Sequence, residues 1–149
     1  MPSRTRKAIP RPERSSKTPA REPSTAKDNS RKVALLAAQA GLEKKATGIQ
    51  IIDVSAKVDY ADFLVLMTGQ SDRNVAAIAR EVDAELTKAG FPAMSIEGLT
   101  EGSWVLIDFV DVVVHVFQRD VRSLYDLDGL WMDAERLPVA GAPPDSFDD

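Results

Sequence analysis

The stretch ADFLVLMTGQSDRNVAAIAREVDAELTKAG, residues 61–90, decides the fold. From Phe63 to Met67 every residue is apolar, and the run stops at Gly69. So short a run predicts a central strand covered on both faces, not one with a wet side. Gly69 frees the backbone to turn, Ser71 can cap the next helix, and Asp72 suits that helix's positive end. Val75, Ile78, Ala79, Val82, Leu86 and Ala89 then recur at three- and four-residue steps, the stripe of an amphipathic helix. Gly90 and Pro92 close it.

Working outward, RKVALLAAQAGLEKKA (31–46) reads as a helix with Ser30 as its N-cap; Gly41 within it costs roughly 1 kcal/mol against Ala. GIQIIDVSA (48–56) reads as a strand with Ile49, Ile51 and Asp53 on one face and Ile52 and Val54 on the other. AMSIEG (93–98) is a short strand, and SWVLIDF and VVVHVF form two more, joined by a tight turn at Val110 and Asp111. RDVRSLYDLDGLW (119–131) reads as one helix with Val121, Leu124 and Tyr125 on a side and Leu127 and Leu130 near it. Early alternation of strands and helices, then a late hairpin, predicts a single α/β domain with a mixed β-sheet flanked by helices.

Charge divides the chain. Residues 1–32 carry 10 Lys and Arg against 3 Asp and Glu, whereas the remaining 117 carry 9 against 20. Three parts are expected: a disordered basic arm (1–29), a folded body (30–138) and an acidic tail (139–149). The arm is a solvated tail, a phosphate-seeking segment for RNA, or a transit peptide, and Glu13, Glu22 and the prolines weigh against the last. With no cysteine there is no disulfide framework, thiolate metal site or thiol nucleophile. No apolar run nears the ~20 residues of a membrane span.

His115 is the only histidine, and it lies in the apolar DVVVHVF (111–117). Strand alternation groups Val112, Val114 and Val116 on one face and Val113, His115 and Phe117 on the other. A catalytic or metal-binding His needs companions, and no second His or any Cys exists. The favoured reading is a partly buried structural His bonded to backbone or an Asp; a binding-face contact is the alternative, and catalysis or metal comes last. Asp108 and Asp111 flank the turn and are read as turn residues rather than a metal pair. TGQS is read as a strand, turn and cap, because it lacks the glycines and lysine of a P-loop. In YDLDGLW, Tyr125, Leu127, Leu130 and Trp131 are either core or contact residues, and Trp104 lies beside the hairpin.

The strings VDYADFLVLMTGQSDRNVAAIAREVDAELTKAG, SIEG, WVLIDFVDVVVHVFQ and RSLYDLDGLWMDA, in this order and spacing, resemble the ribosomal silencing factor (Iojap-like) family across about residues 31–138. The resemblance implies an α/β fold distantly similar to nucleotidyltransferases. It implies no catalysis, cofactor or metal. It implies binding to large-subunit ribosomal protein number fourteen of the universal set, on the large subunit's joining face. Small-subunit association is then blocked and translation repressed, in the bacterial cytoplasm; organelle relatives act in large-subunit assembly. A homodimer of the free protein stays open, as does contact of the basic arm with rRNA. By matching position, Trp104, Tyr125, Asp126 and Leu127 are implied at the partner surface. His115 and Asp111 match a GDVVVH-type motif without individual roles. Val110 stands where the family usually has Gly. A primed two-residue turn needs positive φ, which a β-branched residue resists, so another turn is expected here. The rival enzyme reading lacks its paired metal carboxylates, since AMSIEG offers Glu97 alone.

Overall fold

Phe63–Gly69 forms a strand with all seven residues buried, as its continuous apolar character requires. The computed structural model describes residues 23–141. In chain order these build α1 (Pro23–Glu43), β1 (Thr47–Asp53), β2 (Phe63–Gly69), α2 (Asp72–Lys88), β3 (Ser95–Glu97), β4 (Trp104–Asp108), β5 (Val112–Gln118), α3 (Arg119–Tyr125), α4 (Leu127–Leu130) and β6 (Glu135–Leu137). The six strands form one sheet in the order β3-β4-β5-β2-β1-β6. Only β2 and β5 run parallel, so the sheet is mixed. A parallel pair needs a crossover, and the amphipathic α2 supplies it.

Side-chain alternation divides the core. Val65, Met67, Ile107, Val114 and Val116 face α1 and α2 in the larger cluster. Leu64, Leu66, Val113 and Phe117 point to the opposite face, where only Trp104, Leu127, Trp131 and neighbouring side chains cover them. Long helices therefore shield one side of the sheet. Short helices and loops shield the other.

Ser71 caps α2 by accepting from the Asn74 amide at 3.0 Å. Gly69 is needed for a different reason than turning. A Cβ there would lie 2.6 Å from Val75 Cγ2, so the absent side chain lets strand and helix close up. Gly41 does likewise, since its Cβ would collide with Met67.

Four readings change. Ser30 is not an N-cap: α1 starts seven residues earlier, and Ser30 lies inside it, donating to Ala26 O at 3.1 Å and Asp62 Oδ2 at 2.8 Å. Lys27 reaches Asp53 Oδ2 at 3.2 Å and Ser55 Oγ at 2.8 Å. Tertiary bonds thus hold a helical turn that carries no apolar stripe. Of the expected arm, residues 23–29 belong to this helix, and 1–22 lie outside the described residues. In the expected tail, Val139 packs on the core and Ala140 O accepts from Gln39; residues 142–149 lie outside the description. Finally, the helix read over 119–131 is two helices broken at Asp126, in the left-handed region (φ 48, ψ 51) that Asp tolerates.

The β4–β5 turn does take positive φ at a β-branched residue, Val110, with φ 81. The Asp111 amide donates to Phe109 O at 3.0 Å, closing a three-residue γ-turn, the strained form at this sign of φ. Asp108 Oδ1 steadies it by accepting the Val110 amide at 2.9 Å, the turn role read from the sequence. The Asp111 carbonyl takes the amides of Asp62 (2.7 Å) and Phe63 (3.3 Å), tying the turn to the head of β2. Val110→Gly should therefore stabilise the protein. Release of ~1–3 kcal/mol of strain exceeds the ~0.5–1 kcal/mol of glycine entropy, for a net gain of about 1 kcal/mol in urea unfolding. A lower urea midpoint would show that the valine side chain outweighs its backbone.

Candidate functional site

Trp104 opens β4 directly opposite Phe117, near the end of β5. Both point to the thinly covered face, and so does His115, two residues earlier on β5. The chain leaves β5 straight into α3, which carries Tyr125 back over the same corner. Ring centroids then lie 4.7 Å apart for Trp104–Tyr125, 5.6 Å for Trp104–Phe117 and 5.9 Å for Trp104–His115. Phe117 is fully buried, Trp104 is half-buried, and Tyr125 is 52% exposed. Leu124, at 74% exposure, stands beside it, and Leu130 and Met132 are also open to solvent. The corner presents aromatic and aliphatic surface on a rigid base.

His115 is 8% exposed, and its bond is to neither backbone nor Asp. Trp104 Nε1–H donates to His115 Nδ1 at 3.1 Å. The imidazole proton therefore sits on Nε2. Burial, with the Arg122 charge as a smaller cause, lowers the ring's pKa to about 4, so it is neutral at pH 7. No group of three or more His, Cys, Asp or Glu able to hold a metal occurs among the described residues.

One residue beneath this corner was not singled out in the sequence. Arg122 is 4% exposed and pairs bidentately with Asp128, Nε to Oδ2 at 2.9 Å and Nη2 to Oδ1 at 2.8 Å. Its Nη1 donates to Thr68 Oγ1 at 2.8 Å and to Gly48 O at 2.6 Å, the latter within a bulge of β1. Its guanidinium lies 5.7 Å from the Phe117 ring centre. Arg122 thus pins α3 and α4 to β1, β2 and β5. Asp126, between the helices, accepts the Gly129 amide at 3.0 Å and gives its own amide to Arg122 O at 2.9 Å. Its side chain shapes the segment, while Leu127 packs inward on the second cluster. Of the six candidate residues, Trp104, His115 and Tyr125 come together, and Asp126 and Leu127 adjoin them. Asp111 sits at the other end of β5, four residues from His115 and so about 13 Å away along the strand.

A family model described as "Ribosomal silencing factor during starvation" matches residues 27–148. The chain belongs to the ribosomal silencing factor family. The ribosomal silencing factor of Bacillus subtilis is 41% identical over 106 residues, 71% of this chain and 90% of that one. A solved structure from Chromobacterium violaceum shares the fold with a TM-score of 0.68 at 32% identity, covering 79% of this chain and 98% of that chain. A mouse protein named mitochondrial assembly of ribosomal large subunit protein 1 is 28% identical over 92 residues, 60% of this chain and 40% of its own.

In this silencing-factor family member the buried histidine has a measurable consequence. Unfolded, its ring takes a proton near 6.5; folded, only near 4. Between those values the unfolded chain binds the additional proton, so stability falls as pH drops from about 6.5 towards 4. At ~1.4 kcal/mol per pH unit the loss approaches about 3 kcal/mol across the window. Urea unfolding at several pH values checks it, and His115→Leu should flatten that part of the profile. An equally steep profile in the variant would assign the effect elsewhere.

Proposed function

We propose that this protein is a non-enzymatic silencing factor. It docks on the joining face of the large ribosomal subunit, at ribosomal protein number fourteen of the universal set, excludes the small subunit and so represses translation in the bacterial cytoplasm. The observation that carries this is the corner at Trp104 and Tyr125, in a family whose bacterial members are named ribosomal silencing factors. Large half-open aromatics on a rigid base are what protein-contact hot spots are made of. The chain's only histidine is committed to bonding Trp104, which supports binding over chemistry. The acidic body is steered towards basic ribosomal protein surface, and the basic arm is assigned to nearby rRNA. Among the described residues no helix is long and apolar enough to cross a membrane.

The test is sedimentation with purified subunits. The protein should travel with large subunits and lower the yield of whole ribosomes when small subunits are added. Failure to travel with large subunits would end this reading. The mouse relative's name keeps a second one open, assembly of the large subunit. Binding confined to immature large-subunit particles, with joining unaffected, would favour it.

A further inference from the structure

We propose that His115 is a positioning residue for docking: by accepting the Trp104 indole N–H at Nδ1, it sets the ring's angle and leaves only the ring's apolar surface for the partner. This rests on the docking reading above. An indole is apolar over most of its area and polar at one atom, and at an interface that N–H commonly goes to the partner. Here it is committed within the chain, at 3.1 Å. The bond requires His115 to be neutral with its proton on Nε2, and burial beside Arg122 keeps it neutral. The cross-strand neighbours of His115 are Leu66 on β2 and Leu106 on β4, and neither side chain can compete for Nδ1. Phe117 and Tyr125 hold the indole from other directions. Leu106 on the same face of β4 and Tyr125 against the ring continue the apolar surface around it. The partner chemistry that fits is an aliphatic or aromatic side chain at this point, not a carboxylate or carbonyl seeking a donor.

A double-mutant cycle separates positioning from plain stability. Affinity for purified large ribosomal subunits is measured for the unmodified protein, His115→Leu, Trp104→Phe and the pair, each verified folded by circular dichroism. His115→Leu should weaken binding about tenfold, the scale of one lost hydrogen bond. In the Trp104→Phe background, which has no N–H to hold, the same change should cost nothing further. His115→Asn places Oδ1 where Nδ1 was and should bind within about threefold of the unmodified protein. In nitrogen-15 spectra the Trp104 indole proton should resist solvent exchange in the unmodified and Asn proteins and lose that protection in His115→Leu, with Trp131 as the internal reference. Independent, additive losses in the cycle would overturn the proposal, as would full affinity in His115→Leu. If the asparagine variant does not fold, the leucine cycle decides alone. If the unmodified protein does not bind large subunits, the docking reading falls and takes this inference with it. If it binds and the cycle is additive, only the inference falls.

Discussion

Arg122→Met should cost the fold about 3–5 kcal/mol, the range for removing one partner of a buried ion pair. The variant leaves the Asp128 carboxylate, whose side chain is only 19% exposed, without its bidentate partner. It also strips a donor from Gly48 O and from Thr68 Oγ1. Methionine replaces the apolar stem but none of the five N–H groups. The damage should be local first. α3 and α4 have seven and four residues, too short to persist unaided, so the segment carrying Tyr125 and Leu127 should loosen before the sheet does. Hydrogen exchange should show faster amides over 119–131 at a temperature where β2 and β5 remain protected. Arg122→Met with Asp128→Leu should recover part of the loss, because the stranded charge goes with its partner. A single variant as stable as the unmodified protein would show that the pair's desolvation cost cancels its attraction.

What was legible in the sequence follows from the range of the interactions involved. β2 and α2 were readable because apolar spacing reports burial directly, and the assignment of Val113, His115 and Phe117 to one face followed from strand geometry alone. The first turns of α1 were not. Their residues carry no stripe, and they are held by Lys27 and Ser30 bonding to groups between 26 and 32 residues away. The break at Asp126 was hidden because Asp is acceptable both in a helix terminus and in the left-handed region. A turn other than the primed two-residue one was expected at Val110 and a γ-turn is found, but the positive φ there was not foreseen, because a local rule about β-branched residues met a turn tied to β2 through the Asp111 carbonyl. The aromatic corner was legible as separate residues but not as a place. Trp104, His115 and Tyr125 meet only through the β4–β5 register and the return of α3, neither of which apolar spacing encodes. Arg122 gave no signal at all, since an Arg within a polar, helix-like segment is normally solvated.

Trp104→Ala should weaken binding to the large subunit by about 2–4 kcal/mol, a loss of thirtyfold or more. The family resemblance implied this residue at the partner surface. The structure adds a second consequence. Trp104 is half-buried, bonded to His115 and packed against Phe117 and Tyr125, so truncation opens space beneath the corner and strands Nδ1. A fully buried aromatic truncated to Ala costs ~3–5 kcal/mol. A half-buried one should cost about 2 kcal/mol, enough to lower the melting point but not to unfold the domain. Binding and stability must therefore be separated by a control that perturbs only one. Ile78→Ala serves, because Ile78 on α2 is fully buried in the larger cluster, on the opposite side of the sheet from the indole. It should lower stability by a similar amount and leave affinity nearly intact. If both variants lose affinity in proportion to stability, the loss reports stability alone. If Trp104→Ala melts early yet binds large subunits as tightly as the unmodified protein, Trp104 is a core residue and the docking surface lies elsewhere. A steep loss of affinity in Trp104→Ala alone, at matched stability, is the result that places the energetic centre of docking on this ring.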